Sequence, residues 1–228
     1  MSKGIFITAT GTDMGKTYIT ALIVKKLAES GVNAGYYKAA LSGAEERNGM
    51  LIPGDAAHVK EVATIEQDLG TMVSYVYKAS VSPHLAARIE GNPVDLDTVR
   101  RDFKSLCGRY DYITAEGSGG IVCPIRVDEQ TIFLEDIIKT LNLPGIIVAD
   151  GGLGTINSVV LTAEYMKQKE IPVKGIILNN YDAQSLMHRD NREMIERLTG
   201  IPVIAAAEHG CKDLDIDAEF LKSLYEEV

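Results

Sequence analysis

Nine consecutive residues, Ala9-Thr10-Gly11-Thr12-Asp13-Met14-Gly15-Lys16-Thr17, follow the apolar run Ile5-Phe6-Ile7 and precede an amphipathic stretch. A loop of small residues in that place lets several backbone N–H groups converge on phosphate oxygens, with the positive end of the next helix behind them. Lys16 adds a full positive charge, and Thr17 offers a hydroxyl to a magnesium ion on those phosphates. The loop therefore predicts binding of a nucleoside triphosphate. It is a variant of the strict G-x-x-x-x-G-K-[ST] spacing, because Thr10 stands five residues before Gly15, with Ala9 and Gly11 on either side. A Gly-Lys-Thr triplet also occurs as a surface turn opening a helix, but here the strand, loop and helix context is complete.

Magnesium on a nucleotide takes hard oxygen ligands, usually one or two carboxylates beside phosphate oxygens and water. Asp55 and Glu116 are the candidates. Glu116 closes an apolar run, where an unpaired carboxylate is costly unless a cation or donors meet it; a structural ion pair is the alternative reading. Gly54-Asp55 also reads as a turn followed by a helix N-cap. Lys38 follows Gly35-Tyr36-Tyr37 and precedes Leu41-Ser42-Gly43. A second lysine at the same edge as the phosphate loop implies more negative charge than a magnesium triphosphate carries, unless Lys38 only snorkels to solvent.

Other constellations are weaker. Ser82-Pro83-His84 reads mainly as a helix start. Glu116-Gly117-Ser118-Gly119-Gly120 lacks the glycine two residues before the serine that a nucleophile elbow needs. Gly152-Leu153-Gly154 lacks the third glycine of the dinucleotide fingerprint, since Asn157 holds that place. His58, His188 and His209 show no metal spacing.

These residues need a scaffold that gathers them. Ile5 to Thr8, Ala34 to Tyr37, Tyr112 to Ala115, Ile146 to Ala149 and Ile176 to Leu178 read as buried strands. Lys16 to Ser30, Leu96 to Cys107, Ile156 to Gln168 and Ser185 to Thr199 read as helices, the last stopped by Gly200 and Pro202. Strands alternating with helices predict an α/β fold of P-loop type, a parallel sheet with helices on both faces. Ligands on such sheets bind at the carboxyl ends of strands, and the candidate residues all follow apolar runs.

The 228 residues suit one domain spanning 1–228, and no linker or repeat divides them. Basic residues number 23 and acidic 32, a net charge of −9 that disfavours a broad nucleic-acid or anionic-membrane surface. Cys107, Cys123 and Cys211 have no pairing or metal spacing, so they are expected as reduced, buried thiols. With no secretion signal and no run near the ~20 apolar residues of a membrane span, the cytoplasm is the expected compartment.

Taken together, the loop Thr10 to Thr17, Tyr37-Lys38 with Ser42-Gly43, Asp55, Ser82-Pro83-His84, Glu116-Gly117 with Gly119-Gly120, and Asn179 resemble the dethiobiotin synthetases, ATP-dependent cyclo-ligases of the biotin pathway. The resemblance covers nearly the whole chain. It implies that carbon dioxide adds to one amine of 7,8-diaminononanoate, the carbamate takes the γ-phosphoryl of ATP, and the second amine closes the ring. It implies catalytic roles for Lys38 on the carbamate and Lys16 on the phosphoryl group. It implies a nucleotide site of Thr12, Asp13, Met14, Gly15, Lys16, Thr17, Tyr18, Asp55, Glu116, Gly117, Ser118, Gly119, Asn179 and Asn180, with Asn179 reading the adenine edge. Thr17, Asp55 and Glu116 would hold magnesium. Ser42 and Lys38 would meet the diamine, and Gly152, Leu153, Gly154 and Asn157 would receive its carboxylate from the neighbouring subunit of a homodimer.

The chain departs from the family pattern at Ala9 (usually glycine), Asp13 (commonly glutamate) and Asn180 (frequently aspartate). Ala205 to His209 lacks the usual proline, and Asn191 stands near the place of a tyrosine that helps hold the substrate tail. Two other readings share the loop. An amidotransferase-type ligase normally carries a separate glutaminase domain, and a partitioning-type switch ATPase carries a further lysine where this chain has Gly11.

Overall fold

The computed structural model describes residues 1–228. In chain order the elements are β1 (Lys3–Ala9), α1 (Lys16–Glu29), β2 (Ala34–Leu41), β3 (Glu45–Arg47), β4 (Met50–Ile52), α2 (Gly54–Ala63), α3 (Leu69–Met72), β5 (Val73–Val76), α4 (Pro83–Glu90) and α5 (Leu96–Cys107). There follow β6 (Tyr112–Glu116), β7 (Pro124–Val127), β8 (Thr131–Phe133), α6 (Leu134–Leu141), β9 (Gly145–Asp150), α7 (Thr155–Gln168), β10 (Val173–Asn179), α8 (Leu186–Thr199), β11 (Val203–Ala206), α9 (Ala218–Ser223) and β12 (Glu226–Glu227).

The main sheet has the order β11-β10-β9-β1-β6-β2-β5, all parallel, and β12 adds antiparallel to the start of β1. Its strands are apolar on both faces because helices cover both. One core forms where Phe6, Ile113, Ile147 and Leu178 meet α5, α6 and α7. The other forms where Ile5, Ile7, Ile146 and Ile177 meet α1, α2 and α9. Successive residues of each strand thus feed opposite cores.

All five expected strands and four expected helices are present; most ends shift by a residue or two, but β2 continues four residues past Tyr37 and β10 begins three residues before Ile176. Ser30 is the C-cap of α1 rather than its last turn, and Ser185 is the N-cap of α8, its hydroxyl accepting from His188 N. Asp55 is not an N-cap: Pro53 holds that place, and Asp55 lies in the first turn of α2. The cysteines are all free, but only Cys123 is fully buried. Cys107 and Cys211 sit at half-buried helix and loop ends, where packing against one face suffices.

Candidate active site

The phosphate loop joins β1 to α1. Gly15 caps the helix with φ 81°, and a Cβ there would come within 2.0 Å of Asn179 Nδ2, so any side chain would have to displace Asn179 and strain the backbone. Asp13 also takes a positive φ, 61°, which a short polar side chain tolerates better than most.

Lys16 opens α1 and is 8% exposed. Its ammonium has no carboxylate within ion-pair distance; burial lowers its pKa, and Lys38 lowers it further. Such a buried, unpaired cation stands ready for an anion.

Lys38 presents the contrast. It faces Glu116 in the register of β2 and β6, and its Nζ donates to Glu116 Oε1 at 2.8 Å and to Asp55 Oδ2 at 2.5 Å. Burial opposes its charge, but Glu116 and Asp55 outweigh that and push its pKa up to about 12. Burial would raise the Asp55 carboxyl, yet Lys38 first, then Lys16 and Thr17, hold it below its ordinary value. Thr17 Oγ1 donates to Glu116 Oε1 at 2.8 Å, and the Tyr36 hydroxyl donates to Glu116 Oε2 at 3.1 Å. Both oxygens of this fully buried carboxylate are engaged.

Of the residues expected from sequence, Thr12, Asp13, Gly15, Lys16, Thr17, Tyr18, Lys38, Ser42, Asp55, Glu116, Ser118 and Gly119 line one cleft of about 470 Å³, together with Leu41. Ser118 is bound to the scaffold, its hydroxyl donating to Ala40 O at 2.7 Å. Met14 and Gly117 are not on the cleft wall. The Met14 carbonyl accepts from Asn179 Nδ2 at 3.2 Å, and Gly117 packs so closely that a Cβ would meet Leu134 at 2.8 Å.

A family model described as an AAA domain matches residues 3–210. The ATP-dependent dethiobiotin synthetase BioD of Clostridium botulinum strain Langeland is 52% identical over 228 residues, covering all of both chains. That of strain Loch Maree is 50% identical over 231 residues, again across all of both. The chain belongs to the dethiobiotin synthetase family. Solved structures share its fold at low identity. A ParA family ATPase from Chlorobium tepidum superposes with a TM-score of 0.55 at 15% identity, covering 90% of this chain and 83% of that one. The cell division protein MinD of Aquifex aeolicus does so with 0.54 at 14%, covering 91% and 82%.

Asn179, Asn180, Gly152, Leu153, Gly154 and Asn157, which the dethiobiotin synthetase resemblance also assigned, are not on the cleft wall of this single chain. Asn179 supports Met14 from beneath the loop. Asn180, at φ 53°, donates to Asp150 Oδ2 at 2.7 Å and meets His209 Nδ1 at 3.0 Å through its Oδ1. Gly152, Leu153 and Gly154 form the turn into α7, where Leu153 is 92% exposed, and Asn157 lies in the first turn of that helix. Asn191 holds that turn from below: its Nδ2 donates to Gly151 O and Gly152 O, each at 2.9 Å. Ser82 caps α4 and His84 borders a separate cavity with Arg88 and Arg126. The sequence reading missed Tyr36, although its place two residues before Lys38 puts both on one face of the strand.

Proposed function

We propose that this chain works as an ATP-dependent dethiobiotin synthetase, joining carbon dioxide and 7,8-diaminononanoate into a cyclic urea as ATP is split to ADP and phosphate. The carrying observation is the pair of buried lysines on one cleft, Lys16 unpaired and Lys38 clamped by Asp55 and Glu116. Full-length similarity to dethiobiotin synthetases supports the same reading.

In this reading one amine of the diamine attacks carbon dioxide and loses a proton, giving a carbamate whose negative oxygens face the Lys38 ammonium. A carbamate oxygen then takes the γ-phosphoryl group, and ADP leaves. Backbone N–H groups of Thr12 to Thr17 and the Lys16 ammonium hold the phosphate oxygens through this transfer, where charge is spread and positioning does most of the work. The second amine attacks the carbonyl carbon of the mixed anhydride and gives up a proton; phosphate departs with the bonding pair, and the ring closes. Ser42, beside Lys38 on the cleft wall, offers its hydroxyl to the reacting amines.

Thr17, Asp55 and Glu116 fit magnesium: one hydroxyl and two carboxylates are hard oxygen donors, and all three already gather around one cation, Lys38, or each other. Magnesium held there would neutralise phosphate charge and orient the triphosphate. Asn179, with its Nδ2 held by Met14, keeps Oδ1 as an acceptor, which suits the exocyclic amine of adenine. The turn Gly152 to Asn157 offers backbone N–H groups and a helix N-terminus to the carboxylate of a diamine bound in a second copy's cleft, so we read the protein as a homodimer.

Phosphate release from ATP and magnesium, measured with and without the diamine and bicarbonate, tests the reading. It predicts release that requires both and a product with the mass of the cyclic urea. Release indifferent to the diamine would favour a switch-type ATPase instead.

A further inference from the structure

Tyr36 is fully buried in β2, on the face of the strand that carries Lys38. A core position there asks only for an apolar ring. The hydroxyl nevertheless meets one partner, Glu116 Oε2, at 3.1 Å. Because a carboxylate only accepts, the phenol proton points at it. The opposite oxygen, Oε1, receives Thr17 and Lys38. Remove the Tyr36 hydroxyl and one buried oxygen loses its donor, while the carboxylate gains freedom about a torsion with a broad rotational profile.

The tyrosine itself is fastened unusually. Pairing of β2 with β5 begins only at Lys38 opposite Val73, so the backbone of Tyr36 has no strand on that side. The buried Gln67 side chain takes the strand's place. Its Oε1 accepts from Tyr36 N at 2.8 Å, and its Nε2 donates to Tyr36 O at 2.9 Å. Lys60 Nζ in turn donates to Gln67 O at 2.7 Å. The Gln67 segment, itself held by Lys60 of α2, thus fixes the height of Tyr36 under Glu116.

We propose that Tyr36, locked by Gln67, is a positioning residue that sets the orientation of the Glu116 carboxylate for the metal on the nucleotide. The proposal rests on the reading that Glu116 holds that metal. Groups that orient metal-binding carboxylates commonly change metal affinity by about 10-fold or more when removed.

The test is Mn2+ binding to the full-length protein with ADP, followed by electron paramagnetic resonance, with thermal midpoints recorded for each variant. Manganese takes the same hard oxygen ligands. Tyr36→Phe is expected to weaken Mn2+ binding about 10-fold, the low end for such groups because Thr17 and Lys38 still hold Oε1. Tyr37→Phe, whose hydroxyl meets Ser74 at 2.8 Å on the other face, is expected to leave it unchanged. In a Glu116→Gln background, Tyr36→Phe should add little. Gln67→Met, which frees the Tyr36 backbone and leaves its hydroxyl in place, should weaken Mn2+ in the same direction. Unchanged affinity in Tyr36→Phe, or an equal loss in Tyr37→Phe, overturns the positioning role. Unchanged affinity in Glu116→Gln overturns the metal reading beneath it.

Discussion

Lys38 and Glu116 stand directly opposite each other in the parallel register of β2 and β6, and their side chains close to 2.8 Å between Nζ and Oε1. A backbone pairing therefore delivers the ammonium and the carboxylate to one point, with no loop conformation intervening. The same Glu116 oxygen accepts from Thr17, so one carboxylate oxygen ties the lysine to the phosphate loop, and the magnesium proposed for this site would compete with Lys38 for it.

That sharing predicts how Lys38→Met behaves. Two carboxylates lose their cation, one of them fully buried, and breaking such a pair costs roughly 3 kcal/mol. Added Mg2+ should restore much of this and raise the thermal midpoint more than in the wild type. A midpoint insensitive to Mg2+ in the variant would mean that Asp55 and Glu116 do not take the metal.

Lys16→Met should have the opposite effect on the ligand-free protein. Burial and Lys38 both work against the charge of Lys16, and removing it is expected to raise the thermal midpoint by a few degrees while turnover falls by orders of magnitude. A lowered midpoint with turnover retained would show that the ammonium serves the fold rather than the phosphates.

Alkaline stability follows from two groups. Lys38 titrates at about 12 when folded against an ordinary 10.5, so its contribution is complete below 10.5 and disappears as pH rises through about 12. Tyr36, raised by burial and then by Glu116, favours its neutral form when folded, so it too loses stabilising effect above its ordinary 10.0. Urea midpoints measured between about pH 9 and 12 should hold steady and then fall, and Tyr36→Phe should shallow the fall.

Gly15→Ala places a methyl against Asn179 in a left-handed conformation. A loss of about 2 kcal/mol in stability is expected from a non-glycine residue held there. Adding Asn179→Ala should recover part of it by removing the contact at 2.0 Å, and the remainder belongs to the backbone.

Asn191→Ala takes two donors from the carbonyls of Gly151 and Gly152. If the turn before α7 receives the substrate carboxylate, KM for the diamine should rise while KM for ATP stays put. An equal rise in both would move this turn out of the substrate site.

Much of this was legible in the sequence because strands buried on both faces are long apolar runs, and the phosphate loop carries its chemistry in consecutive residues. Lys16 and Thr17 could be read directly. Segments that escaped are short or capped without the usual residues. α6 keeps Leu134, Ile137, Ile138 and Leu141 on one face but begins at Phe133, a poor N-cap by type. β5 and β11 have four residues each, and β12 has two. Tyr36 reads as one more core aromatic, since only the β2 and β6 register brings it beneath Glu116. The links from Asn180 to Asp150 and His209 join three segments distant in sequence, and nothing local announces them.

The last strand also has a practical meaning. β12 lies antiparallel to Lys3 and Gly4, and Val228 N donates to Ser2 O at 3.2 Å, so the two chain ends lie side by side. They meet at the amino edge of the parallel sheet, on the far side of the molecule from the cleft. A short peptide joining Val228 to Met1 would therefore run on the side of the molecule away from the cleft.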